Sequence, residues 1–526
     1  MANRSVVYRG PWPDIPIPNV PLTAFVFEGV EGRASKTALI DGVTGRTISY
    51  GELYRAVSRF ARGLWDRGFR KGDVFAVYCP NVVEYAVIFH GVASLGGTAT
   101  TINPLYTPSE LERQLKDAKA KYLVTTPAFL ANAREGSRGT AVEEIFVLGE
   151  AEGASPYDTL LANDGDPPEV DIDAANDVVA LPYSSGTTGL QKGVMLTHRN
   201  LVANLIQITE VYKEDTRPND VAVGILPFFH IYAMMVILNW ILRNGSSIVI
   251  LPRFDLEQFL TALVKHRVTI AHLVPPIVLA LAKHPMVDKF PLSLRWVFSG
   301  AAPLGQDLSE ACARRLGCLV FQGYGLTETS PATHLSPPDH RNRLGSVGFP
   351  VPGTECKVVD PATGEALGPG KDGELWMRGP QVMKGYLNQP GATAAVIDAD
   401  GFFHSGDIGH ADEDGYFYIV DRLKELIKYK GMQVAPAELE ALLLTHPAVA
   451  DAAVIPVPDE EAGEVPKAFV VKRGEVTEDE LKAFVASKVA PYKRIRILEM
   501  VEQIPKSPSG KILRRILVER ERQKRA

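Results

Sequence analysis

Short apolar runs bounded by glycine, proline or polar clusters recur along most of the chain, and stretches with helical spacing separate them. The first such stretch places Leu53, Val57, Phe60, Ala61 and Leu64 on one face, the 3.6-residue period of a helix packed on a core. Strands are predicted at 73–78, 97–102 and 122–126, with helices at 82–94 and 109–118 between them. Two short buried strands, 178–182 and 194–196, flank a glycine-rich loop. The alternation resumes with strands at 221–226, 247–251, 269–273 and 294–298 and helices at 256–265 and 307–316. This order predicts mainly parallel sheets with helices on their faces. The longest uncharged apolar run, 231–242, is too short for the roughly 20 residues of a membrane span and is read as a core helix.

The texture changes near Gly345. Glycine and proline become dense, and the turns Asp400-Gly401 and Asp414-Gly415 separate short strands. A charged segment, 421–425, follows the apolar strand 416–420, and helices at 436–444 and 478–488 then lie among short strands. The expected organisation is an α/β multidomain chain: 1–420, a hinge at 421–425, and a small α+β domain at 426–526. The charged tail 514–525 reads as a solvated helix end.

A chain of 526 residues exceeds one compact core, in keeping with several domains. A formal net charge of −6 argues against nucleic acid as the main partner. The four cysteines, Cys79, Cys312, Cys318 and Cys356, have no metal-ligand spacing and suit a reducing compartment. The proline-broken N-terminal stretch lacks the apolar segment of a signal peptide, so the cytoplasm is the expected location.

Candidate chemistry is concentrated in loops. The segment Tyr183 to Gly193 carries three glycines, four small hydroxyls and Lys192, a set able to offer backbone N–H groups, hydroxyls and a cation to phosphate. A plain hairpin loop has the same composition. The spacing fits neither a Walker loop, because Lys192 follows Gln191, nor a dinucleotide fingerprint, because Glu328 stands where the third glycine after Gly323 and Gly325 belongs. Four further clusters stand out: the aromatic-flanked His230, the turn from Gln322 to Glu328, the stretch from Gly401 to Asp407, and the loop 505–511 ending in Lys511. Taken singly, each has a structural reading: a hydrogen-bonded histidine, a β-turn, a capped turn, an exposed loop.

Together, in this order and spacing, the clusters resemble the adenylate-forming superfamily of acyl-CoA synthetases, luciferases and peptide-synthetase adenylation domains, from about Thr47 to Arg515. The stretch from Val420 to Gly431, continued from Gln433 to Glu440, is most similar to the coumarate–CoA ligase branch, as are His230-Ile231-Tyr232 and Ser299 to Gly305. The resemblance implies a large N-terminal region of stacked α/β subdomains plus a β-rich subdomain, and a small mobile α+β C-terminal domain. It implies two steps: a carboxylate attacks the α-phosphorus of ATP to give acyl-AMP and pyrophosphate, and the thiol of CoA then displaces AMP.

By resemblance, Ser184, Ser185, Gly186, Thr187, Thr188 and Lys192 hold the phosphates, and Ala301 and Ala302 form one wall of the adenine site opposite Gln322, Gly323 and Tyr324. Thr327 meets the α-phosphate, Glu328 is the Mg²⁺ ligand, Asp407 takes the ribose hydroxyls, and Arg422 lies beside it. Lys511 bridges substrate carboxylate and α-phosphate, with His230 in the catalytic set. Lys424 falls at the hinge and Lys428 near the nucleotide, while Arg253, Lys430 and Gly431 match positions for CoA.

The acyl pocket is expected from Tyr232, Val236, Phe298, Gly300, Gly325, Pro331 and Ala332, with the glycines leaving room for a flat ring. That suits a hydroxycinnamate such as 4-coumarate, although Val236 and Phe298 offer a ring hydroxyl no hydrogen bond. A medium-chain fatty acid or an unsubstituted aryl acid stays open. So does a stand-alone adenylation enzyme loading a carrier protein, ranked second because no carrier domain is appended. A luciferase fits the motif details less well, and a non-catalytic nucleotide-binding protein is disfavoured by the presence of Lys511, Glu328, Asp407 and Arg422. The expected partners are a small carboxylic acid, ATP and CoA, in a monomer or homodimer.

Overall fold

The computed structural model describes residues 6–184, 191–430, 432–459, 461–508 and 510–525. Among them the chain builds two nine-stranded sheets, a four-stranded antiparallel sheet and a five-stranded C-terminal sheet. The first large sheet is parallel through Glu144–Val147, Tyr122–Thr125, Val74–Tyr78, Thr98–Thr101 and Val178–Ala180. Lys192–Thr197 then adds antiparallel, carrying Tyr183–Ser184 and Gly385–Tyr386 with it. The second is parallel from Thr37–Asp41 through Ser247–Ile250, Val221–Gly224, Ile270–Leu273 and Trp296–Ser299 to Leu319–Gly325. These strands are short, β-branched or aromatic and buried on both faces, as parallel strands under helices must be.

Local signals fix where helices begin. Ser49 with Glu52, Thr107 with Glu110 and Thr477 with Glu480 form reciprocal capping boxes at Tyr50–Asp66, Pro108–Ala118 and Glu478–Ala486. One continuous core joins both large sheets and the four-stranded sheet, whereas residues from Ile427 to Leu498 form a separate C-terminal core.

Three expectations change. The apolar run 231–242 is a wide-turned π-helix, Ala233–Asn239, that continues as the α-helix Trp240–Arg243. In it the Asn239 side-chain amide donates to the Met234 carbonyl at 2.8 Å, a bond within the wide turn itself. Strand Phe417–Arg422 runs through Asp421 and Arg422, pairing them with Ile408 and Asp407, so the chain leaves the four-stranded sheet only after Arg422. The tail helix Arg514–Arg525 is not a solvated end: Leu517 and Glu521 are buried, and the Arg514 side chain is enclosed at 15% exposure.

Candidate active site

The chemistry-bearing loops follow the carboxyl ends of parallel strands, where open α/β sheets leave a crevice. His230 comes after Val221–Gly224, Ala301 after Trp296–Ser299, and Glu328 after Leu319–Gly325. Thr333 and Ala332 return on the antiparallel strand Ala332–Leu335.

Glu328 is buried, and its Oε1 accepts from the Ser184 hydroxyl at 2.8 Å and the Tyr386 hydroxyl at 2.9 Å. The same Tyr386 ring lies under the Lys192 ammonium, 4.7 Å away. Tyr386 thus ties the acid of one loop to the cation of another. Residues 185–190, including Ser185, Gly186, Thr187 and Thr188, lie outside the described residues.

Beside this cluster, Tyr324 donates from its hydroxyl to Asp407 Oδ2 at 2.6 Å, and the Arg422 guanidinium stands 3.5 Å from Asp407 Oδ1 across a strand pair. Burial pushes the Asp407 carboxyl up, while Arg422, the Tyr324 hydrogen bond and Lys511 pull it back. Lys511 reaches the same group from the far end of the chain. Burial draws its ammonium down to about 8; Arg422 adds to the fall, and Asp407, Glu328 and Glu425 oppose it. Its loop is held by reciprocal bonds with Ser507, from the Lys511 N–H to Ser507 Oγ at 3.1 Å and from the Ser507 N–H to the Lys511 carbonyl at 2.8 Å. Gly510 has φ +80°, and a Cβ there would lie 3.1 Å from Val274, so a glycine lets this loop close on the large region.

His230 stands between two cavities. One is lined by Thr101, Asn103, Tyr106, Gln114, Tyr183 and Thr327, the other by Leu226, Pro227, Tyr232, Ala233, Val274 and Ala301. Burial, then the nearby Lys511 charge, lowers the His230 imidazole to about 3, so it is neutral at physiological pH. Tyr232, Val236, Phe298 and Ala332 are buried, and the Tyr232 and Phe298 rings are 6.1 Å apart.

The expectation that glycines leave room for a flat ring needs correcting. A Cβ on Gly300 would press the Tyr232 ring at 3.0 Å, one on Gly325 would strike the Pro331 carbonyl at 2.1 Å, and one on Gly323 would meet Phe298 at 2.6 Å. These glycines admit the protein's own atoms. Gln322 is likewise committed inward: its amide accepts from the Leu304 N–H at 2.9 Å and donates to the Leu304 carbonyl at 3.0 Å, pinning the loop that bears Ala301 and Ala302. Ala301 takes φ +70°, a left-handed conformation that this pinned loop holds in place.

Other sequence candidates stay outside the cluster. Arg253, Lys424 and Lys428 are exposed, and the Lys430 ammonium pairs with Glu461 of its own domain at 2.6 Å. Gly431 lies outside the described residues. The sequence reading passed over Tyr386 and also Arg514, which donates to Glu425 at 2.6 Å and Glu440 at 2.7 Å. The only sequence signal for Tyr386 is a lone Gly-Tyr pair after a lysine; for Arg514, its place directly after the Lys511 loop.

Comparison with known proteins gives a consistent result. A family model described as AMP-binding enzyme matches residues 26–387, and one described as AMP-binding enzyme C-terminal domain matches 438–511. A 4-coumarate–CoA ligase of Oryza sativa subsp. japonica is 46% identical over 97% of this chain and 96% of its own length. One from Nicotiana tabacum is 44% identical with the same coverage. Among solved structures, ATP-bound MatB from Rhodopseudomonas palustris aligns with a TM-score of 0.86 at 31% identity, covering 96% of this chain and 99% of its own. The apo form of that protein aligns at 0.76 and 31% identity with the same coverage.

Proposed function

The chain belongs to the AMP-binding enzyme family, and on that footing we propose that it is an ATP-dependent acid–CoA ligase acting on a hydroxycinnamate such as 4-coumarate. The observation that carries the reading is the close approach of the Lys511 loop to the large region, Gly510 against Val274, which brings the Lys511 charge within electrostatic range of Asp407, Arg422 and Glu328. Such a cation bridges two anions, a substrate carboxylate and the α-phosphate.

In the first step a carboxylate oxygen attacks the α-phosphorus, the bond to the bridging oxygen breaks, and pyrophosphate leaves with that electron pair. Lys511 offsets the charge gathering on the phosphorane, an effect worth several kcal/mol in a site that excludes water. Thr327 faces the α-phosphate, Asp407 accepts from the ribose hydroxyls, and Ala301, Ala302, Gly323 and Tyr324 bracket the adenine. Ser184, the loop 185–188 and Lys192 receive the β- and γ-phosphates. Neutral His230 orients the carboxylate by hydrogen bonding instead of by charge.

Glu328 fits a Mg²⁺ ion held mainly by substrate. Among the described residues its Oε1 accepts the Ser184 and Tyr386 hydrogen bonds, and no cluster of three or more His, Cys, Asp or Glu side chains suited to a metal exists among them. When bound there, Mg²⁺ neutralises phosphate charge.

In the second step the CoA thiol gives up its proton to solvent, its sulfur attacks the acyl carbonyl, and AMP leaves with the electron pair of the C–O bond. The C-terminal domain turns about Lys424 to replace the Lys511 loop with Lys430 and Gly431, while Arg253 meets a CoA phosphate. The greater likeness to the ATP-bound than to the apo form of the same relative supports an arrangement suited to the first step. No helix among the described residues is long and apolar enough to cross a membrane. The described cysteines are unpaired and mostly buried, which suits the cytoplasm as the working compartment.

The test is thioester formation with ATP, Mg²⁺ and CoA across 4-coumarate, cinnamate, benzoate, octanoate and palmitate. Preference for 4-coumarate or cinnamate is expected. Preference for octanoate would make the protein a fatty acyl-CoA ligase. Acyl-AMP without thioester would move the acceptor to a carrier protein.

A further inference from the structure

The strand pair that carries Asp407 departs from a regular ladder at that residue. Strand Gly373–Arg378 runs antiparallel to Phe403–Ala411, with Trp376 opposite His404 and Glu374 opposite Ile408. Between those two pairs Leu375 stands alone on one strand, against Ser405, Gly406 and Asp407 on the other. The extra residues form a bulge, which bends the strand and re-aims the side chain it carries. A bulge also takes backbone groups away from their ladder partners, and those groups need other donors and acceptors.

Side chains and a neighbouring segment supply them. The Gly406 N–H donates to Glu374 Oε1 at 2.9 Å, and the Asp407 N–H donates to the Ser405 hydroxyl at 3.0 Å. The Gly406 carbonyl accepts from the Leu423 N–H at 2.8 Å. Gly406 takes φ +72°, a left-handed conformation that glycine adopts without strain. Glu374 is oriented in turn: its Oε2 accepts from the Trp376 indole at 2.9 Å, and that indole stacks on the His404 ring at 3.7 Å and 8°. The peptide planes on both sides of Gly406 are thereby held, the first by Glu374 and the second by Leu423 and Ser405. Tyr324 and Arg422 face the Asp407 carboxylate, whereas Glu374 holds the backbone that presents it.

We propose that Glu374 is a positioning residue for the nucleotide sugar: by pinning the bulge it keeps the Asp407 carboxylate where it meets the ribose hydroxyls. Glu374 acts through Asp407 and not on the substrate. A carboxylate suits the place because it accepts from two N–H donors at once, one on each oxygen, and charge-assisted bonds are the stronger kind. A glutamine has one acceptor oxygen and would set its own N–H groups against the second donor. This inference rests on the proposed role of Asp407 and deepens it.

The experiment compares equilibrium binding of ATP and of 2′,3′-dideoxyATP, without acid or CoA, in the wild type, Glu374→Ala, Glu374→Gln and Trp376→Phe. The wild type is expected to bind ATP roughly 10- to 100-fold more tightly, the worth of one hydrogen bond to a charged acceptor. Glu374→Ala brings that ratio towards unity by weakening ATP alone, and Glu374→Gln, which keeps one acceptor, retains part of it. Trp376→Phe keeps a ring but removes the indole donor; it lowers the ratio least and keeps the test open if Glu374→Ala misfolds. A merely structural role would weaken both nucleotides alike. An unchanged ratio in the variants, or equal loss of both nucleotides, therefore overturns the inference while leaving the ligase reading intact. A wild type that binds the two nucleotides equally overturns the role of Asp407 and this inference with it. A wild type that prefers ATP yet makes no thioester from any acid overturns the ligase reading alone.

Discussion

Lys511 and Lys430 are the same residue type on two loops of one small domain, and the structure treats them oppositely. The Lys511 loop closes on Val274 through Gly510, and its half-buried ammonium, with Arg422 adding to the effect of burial, is drawn down to about 8. Lys430 stays on the surface at 44% side-chain exposure, paired with Glu461. A charge in a dry site acts strongly on a nearby phosphate, whereas an exposed ion pair is screened and contributes little. On the proposed reading, this orientation of the domain arms only one of the two lysines.

The largest effect expected from breaking this asymmetry is that of Lys511→Ala, which should lower overall ligase turnover by about 10²–10³-fold, the cost of losing one preorganised charge at the reacting centre. Lys430→Ala should act on the other side of the comparison. Pyrophosphate release in the first half-reaction stays within about twofold, while thioester formation from supplied acyl-AMP falls on the order of tenfold. A slower pyrophosphate burst in that variant would mean the surface lysine already serves the first step.

A third prediction uses pH. On the proposed reading Lys511 works as a cation, so kcat/KM for adenylation should hold below about 8 and fall as pH rises through that value. Bound triphosphate favours the charged form, so the same limb in kcat moves to higher pH. In Lys511→Arg the limb vanishes, because a guanidinium stays protonated throughout; a limb that survives would belong to another group. The smallest effect is that of Glu461→Gln, which breaks only an exposed pair and should change thermal stability by less than about 1 kcal/mol.

What was legible in the sequence divides along similar lines. The parallel strands announce themselves as short β-branched runs such as 221–224, and the capping boxes at Ser49 and Thr477 mark helix starts locally. The motif loops holding Glu328, Asp407 and Lys511 could be named only together, because their order and spacing resemble a known family while each alone reads as an ordinary turn or loop. Tyr386 could not, since its bond to Glu328 spans 58 residues and no local period encodes it. Arg514 was hidden in a charged tail, yet it joins Glu425 and Glu440 across 89 and 74 residues. His272 reads from sequence as one polar letter in an apolar strand, and only packing shows its ring enclosed by Tyr232, Trp240, Trp296 and Phe298. The room left by Gly300 and Gly325 was misjudged for the same reason, because the atoms that fill it come from distant or folded-back chain.

The most direct measurement separates the half-reactions in Lys511→Ala: pyrophosphate released from ATP and acid, against thioester formed from supplied acyl-AMP and CoA. The account predicts that the first is nearly abolished and the second is retained. Comparable loss in both would contradict it, because Lys511 would then serve both steps and the two loops would not take turns.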